Sequence, residues 1–87
     1  MAVSEFESFL NYLRFEKRAS SHTVSAYAGD LNDFYGYLAV TYEITTIQEV
    51  VHAHIRSWMV FLLSSGLVAR SINRKVSTLT AYSKFMQ

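Results

Sequence analysis

Apolar residues recur along this chain at intervals of three and four, and no stretch alternates regularly enough to compete as a strand. The spacing therefore predicts an all-helical protein. The first helix is expected over residues 4–17, with Phe6, Phe9, Leu10 and Leu13 inward. Ser4 is placed to cap it, with Glu7 three positions later as the capping-box partner and acidic residues suiting the positive end of the helix dipole. After the polar link Arg18-Ala19-Ser20-Ser21 comes the clearest amphipathic row, Val24, Tyr27, Leu31, Phe34, Tyr35 and Leu38, which predicts a second helix over residues 21–40. Ser20 or Ser21 supplies its capping oxygen. Gly29 and Gly36 fall inside that helix and each costs up to about 1 kcal/mol against Ala. Close approach by another backbone would explain them.

Residues 41–51 are rich in β-branched side chains, but the segment lacks the length and partner strands of a sheet. It reads as a connection with one short helical turn, in which Ile44, Ile47 and Val50 plug the core. A third helix is expected over residues 53–65, with Ile55, Trp58, Met59, Leu62 and Leu63 on or near one face and Gly66 at the position that favours left-handed geometry. It is expected to be the most buried helix. Ser71 then caps a fourth helix over residues 72–86, with Ile72, Val76, Leu79, Tyr82 and Met86 at helical spacing. The opposite face carries Asn73, Arg74, Ser77, Ala81 and Lys84 and no acid.

At 87 residues the chain has room for one domain, residues 1–87, and 51% hydrophobic with 15% aromatic residues is enough to fill a single core and to exclude disorder. Without Cys there is no disulfide framework and no thiolate chemistry, which suits a reducing cytosol. The N-terminus meets acids before any apolar stretch, unlike a secretion signal. The longest strongly apolar run, residues 58–63, falls far short of the roughly 20 residues that span a bilayer. A cytoplasmic protein with no membrane partner is the expectation. The net charge of +1 hides a division. Residues 1–55 set seven acidic groups against Arg14, Lys17 and Arg18, a net of −4, whereas residues 56–87 carry Arg56, Arg70, Arg74, Lys75 and Lys84 with no acid, a net of +5. Such asymmetry points to nucleic acid or another anionic surface.

Two stretches carry a family likeness. In residues 20–34 a threonine, Thr23, is followed four positions on by Tyr27, then by Asp30-Leu31 and Phe34. In residues 71–79 the run Ser-Ile-Asn-Arg-Lys-Val-Ser-Thr-Leu is followed by Tyr82, Lys84 and Phe85. These resemble the core-binding domain of tyrosine recombinases, the Xer and phage-integrase family, and Phe9-Leu10-Asn11-Tyr12-Leu13 through Lys17 adds a weaker match in the right order. The resemblance covers essentially the whole chain. It implies a compact four-helix orthogonal bundle of the SAM-like type that grips one face of a DNA half-site for integration or recombination. The implied partners are double-stranded DNA, a catalytic domain of the same polypeptide and other recombinase protomers in a synaptic complex. The family's catalytic arginines, lysine, histidines and tyrosine nucleophile have no matching positions here, so no catalytic residue is assigned and the chain alone is not expected to cut DNA.

Phosphate binding needs N–H donors and positive charge, and a helix N-terminus offers both. The candidates at the start of the second helix are Lys17, Arg18, Ser21, His22 and Thr23. Those at the start of the fourth are Arg70, Ser71, Asn73, Arg74, Lys75 and Ser77. Asn73, Arg74 and Ser77 are also able to read base edges. Reversing the charges of Arg74 and Lys75 together is expected to weaken DNA binding while leaving the fold intact. No cofactor or metal is expected, because His52 and His54 are two apart on a helix and point to different sides. Asp30 and Asp33 specify no reaction without further groups, and Asp30 is expected to accept a structural hydrogen bond that fixes a basic neighbour. The alternative function is a small helical protein-interaction module, with Tyr37, Tyr42 or Phe61 in a docking patch. A standalone enzyme lacks any assembled nucleophile, base and oxyanion stabiliser.

Overall fold

A computed structural model describes residues 6–86. The described chain forms four helices, α1 (Glu7–Phe15), α2 (Ser21–Tyr42), α3 (His52–Ser64) and α4 (Ala69–Met86), with a single 3-10 turn, Ile47–Glu49, between α2 and α3. Among the described residues there is no strand, as the periodicity predicts.

The longest helix is also the central one, since α2 packs against α1, α3 and α4, and α4 packs on α3 as well. Its buried side chains are Val24, Asp30, Leu31, Phe34, Tyr35 and Leu38. Against them lie Phe9 and Leu13 of α1, Trp58 and Leu62 of α3, and Ile72, Leu79 and Tyr82 of α4. Aromatic rings join the layers: Phe34 meets Trp58 at 4.9 Å between ring centres and Phe9 meets Tyr82 at 5.4 Å. Both distances fall within the 4.5–7 Å over which such pairs attract. The buried hydroxyls of Tyr35 and Tyr82 hydrogen-bond to each other at 2.9 Å, so neither phenol enters the core without a partner. Ile44 plugs the core from the α2–α3 connection, with Ile47 and Val50 half-buried beside it.

Four local expectations are corrected. Ser4 lies outside the described residues, but Phe6 holds the N-cap position of α1 without a side-chain cap bond and Glu7 is the first helical residue. The most buried helix is α2, because α3 buries only Trp58 and Leu62 while Val60, Phe61 and Leu63 face outward. A Cβ added at Gly29 or Gly36 would meet nothing within 4 Å, so no neighbouring backbone requires either glycine. Ser71 does not cap α4, which starts two residues earlier at Ala69. The reason is the turn before it. Gly66, at φ +95°, allows Gly66 N–H to bond Leu63 O and Leu67 N–H to bond Leu62 O, the paired bonds of a Schellman motif. The chain then re-enters a helix at once, with Ile72 N–H donating to Val68 O.

Candidate nucleic-acid interface

The start of α2 is built as expected. Ser20 is extended, and its Oγ accepts from Thr23 N–H at 3.2 Å and donates to Thr23 Oγ1 at 3.1 Å. The N–H groups of Ser21 and His22 are among those a helix leaves unpaired at its start, and both residues are exposed with Thr23. Lys17 and Arg18 precede them in the turn that ends α1, where Ala19 N–H returns to Leu13 O at 2.9 Å. Arg18 adopts a left-handed φ of 54°, which glycine would take more cheaply.

At the other candidate element, Arg70 and Ser71 fall in the first turn of α4, and Asn73 and Ser77 are exposed one and two turns on. Arg74 and Lys75 behave differently. Asp30 of α2 is 2% exposed. Its Oδ2 accepts from Arg74 Nη1 at 2.9 Å and Thr78 Oγ1 at 2.9 Å, and its Oδ1 accepts from Lys75 Nζ at 3.0 Å. Lys75 Nζ also donates to Asp33 at 3.1 Å. Asp30 thus fixes basic neighbours as expected, although they lie 44 and 45 residues away along the chain. The Lys75 side chain is only 11% exposed, whereas that of Arg74 is 49% exposed. Lys75 is therefore directed inward, and two of the five cations counted in residues 56–87 already face carboxylates. A double charge reversal at Arg74 and Lys75 would set new carboxylates against a buried one, so the expectation that the fold survives it is withdrawn.

Lys17 of the first candidate element meets the C-terminal end of α4. A cavity of about 370 Å³ is lined by Lys17, Tyr27, Ala81 and Lys84 together with Phe9, Tyr12, Leu13 and Phe85. Lys17, from the α1–α2 turn, thereby shares a groove with Lys84, which continues the face of Asn73 and Ser77 by two further turns. Lys84 was not among the candidate contacts. The available signal was its position seven residues beyond Ser77, which at 3.6 residues per turn returns to the same side.

The aromatics Tyr37, Tyr42 and Phe61 also gather. Tyr37 lies 4.9 Å from Phe61 and 6.2 Å from Tyr42 between ring centres, and both tyrosine hydroxyls reach Ser57 Oγ. Tyr37 and Phe61 border an apolar groove of about 600 Å³ between α2 and α3 that Gly36, Val40, Trp58 and Leu67 also line. His54 is a helix-end residue, with Nδ1 accepting from Val51 N–H at 3.0 Å. Among the described residues no three His, Cys, Asp or Glu side chains gather as metal ligands, and no helix is long and apolar enough to cross a membrane.

Comparison with known proteins identifies the family of the fold. Residues 6–87 match the family described as phage integrase, N-terminal SAM-like domain. Among similar proteins, the tyrosine recombinase XerD of Rickettsia conorii is 38% identical over 90% of this chain and 25% of its own length. That of Rickettsia prowazekii is 40% identical over 90% of this chain and 24% of its own. The tyrosine recombinase XerC of Oceanobacillus iheyensis is 33% identical over 93% of this chain and 26% of its own. The chain thus spans about a quarter of the length of these relatives, and no solved structure gives a significant match. The three helices packed around α2 and the match across the described residues establish that this chain belongs to the phage integrase N-terminal SAM-like domain family.

Proposed function

We propose that this chain is a DNA-binding domain of a site-specific tyrosine recombinase, holding one face of a duplex half-site. A catalytic domain of the same polypeptide would hold the other face and carry out strand breakage and rejoining. Other protomers would complete a synaptic complex in a bacterial cytoplasm. The observation that carries this reading is the outer face of α4, where Arg70, Asn73, Arg74 and Ser77 stand exposed on a helix without acids and Lys84 extends the row toward Lys17. Arg70, Arg74, Lys84, Lys17 and Arg18 supply charge, and the N–H groups of Ser21 and His22, with the Thr23 side chain, supply neutral donors to phosphate. Asn73 has the two-point geometry that reads adenine. Ser71, half-buried in the first turn of α4, contributes through its backbone, and Lys75 through its hold on Asp30.

The test is a fluorescence-anisotropy titration of a mixed-sequence duplex over a range of salt. Affinity should fall as salt rises, and Arg70→Ala should lower the slope of log affinity against log salt by about 0.9, the value of one phosphate contact. Absence of salt-dependent binding at about 50 mM salt would sink the proposal.

A second reading, the protein-interaction module, is favoured by one observation, the Tyr37, Tyr42 and Phe61 cluster beside the α2–α3 groove. It predicts association on size exclusion that Phe61→Ser abolishes, with no salt-dependent DNA affinity.

A further inference from the structure

Three α4 side chains converge on the buried carboxylate of Asp30, but only one of them combines that anchor with wide exposure. Arg74 donates Nη1 to Asp30 Oδ2 while its side chain stays 49% exposed. Thr78 Oγ1, one turn on, donates to the same oxygen, and Lys75 Nζ occupies the other. The carboxylate is therefore held from three directions and cannot turn with the arginine. A guanidinium carries five N–H donors in one rigid plane. Fixing one terminal nitrogen restricts the plane while leaving Nε and Nη2 able to bond elsewhere. A lysine in that place would have a single nitrogen, whose position the carboxylate would claim.

We infer that Asp30 is a positioning residue for DNA contact: it holds Arg74 by Nη1 so that the other guanidinium donors are presented, already ordered, to phosphate or base. This rests on the reading of the α4 outer face as the DNA surface. Ordering a long side chain before binding removes an entropic cost otherwise met on association, equivalent to about two- to tenfold in affinity. Asp30 itself touches no DNA.

The experiment is a double-mutant cycle on this chain, with duplex affinity and salt slope measured for Asp30→Asn, Arg74→Ala and the pair, and folding followed by circular dichroism. Asn retains an oxygen for Thr78 and Arg74 but loses the charge. Asp30→Asn should weaken binding about two- to tenfold with helicity retained, and should cause no further loss once Arg74 is Ala. A loss of equal size in both backgrounds, or no loss with Arg74 present, would overturn the inference. Arg74→Ala binding as well as the unaltered chain would remove the contact itself, a separate failure that strikes the α4 reading. Should Asp30→Asn lose its helicity, Arg74→Lys decides the matter. It should bind as weakly as Arg74→Ala, and binding equal to that of the unaltered chain would refute the anchoring.

Discussion

Replacing Lys75 by Glu and by Met separates a structural lysine from a DNA-contacting one. In the folded protein its Nζ lies 3.0 Å from the buried carboxylate of Asp30 and 3.1 Å from Asp33, which is 62% exposed. Met keeps most of the aliphatic stem and removes both bonds. The bond to Asp30 is charge-assisted and worth about 1.5–3 kcal/mol, while the pair with exposed Asp33 adds at most about 1 kcal/mol. Asp30 would retain Arg74 and Thr78, so the Met variant should lose about 1.5–4 kcal/mol and stay folded. Glu breaks the same pair and sets like charges together, which raises the cost to about 3–5 kcal/mol. A domain of this size has about 4–13 kcal/mol in total, so Lys75→Glu should remove much of it. In urea, with a slope of about 1 kcal/mol per molar, the midpoint should fall by about 1.5–4 M for Met and about 3–5 M for Glu. Far-ultraviolet circular dichroism reads both. A Lys75→Glu protein with an unchanged midpoint and weakened DNA binding would refute the reasoning and return Lys75 to the contact surface.

Three further outcomes follow from particular contacts. Arg18→Gly relieves a left-handed residue and should raise stability by about 1 kcal/mol in the same urea assay while lowering the salt slope of DNA binding; a loss of stability would contradict the strain reading. Asp33→Asn removes an exposed negative charge beside α4 while Lys75 keeps Asp30. A unit charge about 10 Å from a phosphate in water amounts to roughly 0.4 kcal/mol, so DNA affinity should rise about twofold at low salt, and a fall would argue against binding on this side. Gly29→Ala and Gly36→Ala meet open space on a helix, and each should raise the thermal midpoint through a gain of about 0.5–1 kcal/mol. A lower midpoint at Gly36 would reveal crowding that the structure does not contain.

Much of the fold was legible because its determinants are local. The row from Val24 to Leu38 repeats with the period of a helix, Ser20 caps α2 from three residues away, and Gly66 supplies the left-handed turn after α3. Each of these needs only neighbours within about four or five residues. The family likeness rested on the same short patterns. The local signal misled at Ser71, a good capping residue before an apolar one, because the two bonds of the preceding turn had already returned the chain to helical geometry at Ala69.

Tertiary structure decided the burial of α3, the open surroundings of Gly29 and Gly36 and, above all, the fate of the charges. In the sequence Arg74 and Lys75 are adjacent members of an acid-free helix and count alike as free cations. In the fold Lys75 turns inward to Asp30 and Asp33, while Arg74 shares Asp30 and still reaches solvent. Helical periodicity and capping act over a few residues, but the field at a side chain is set by groups from any part of the chain that the fold brings near. Only the packing of α4 against α2 brought a carboxylate 44 residues away within reach and separated one cation that supports the fold from one that remains available to a partner.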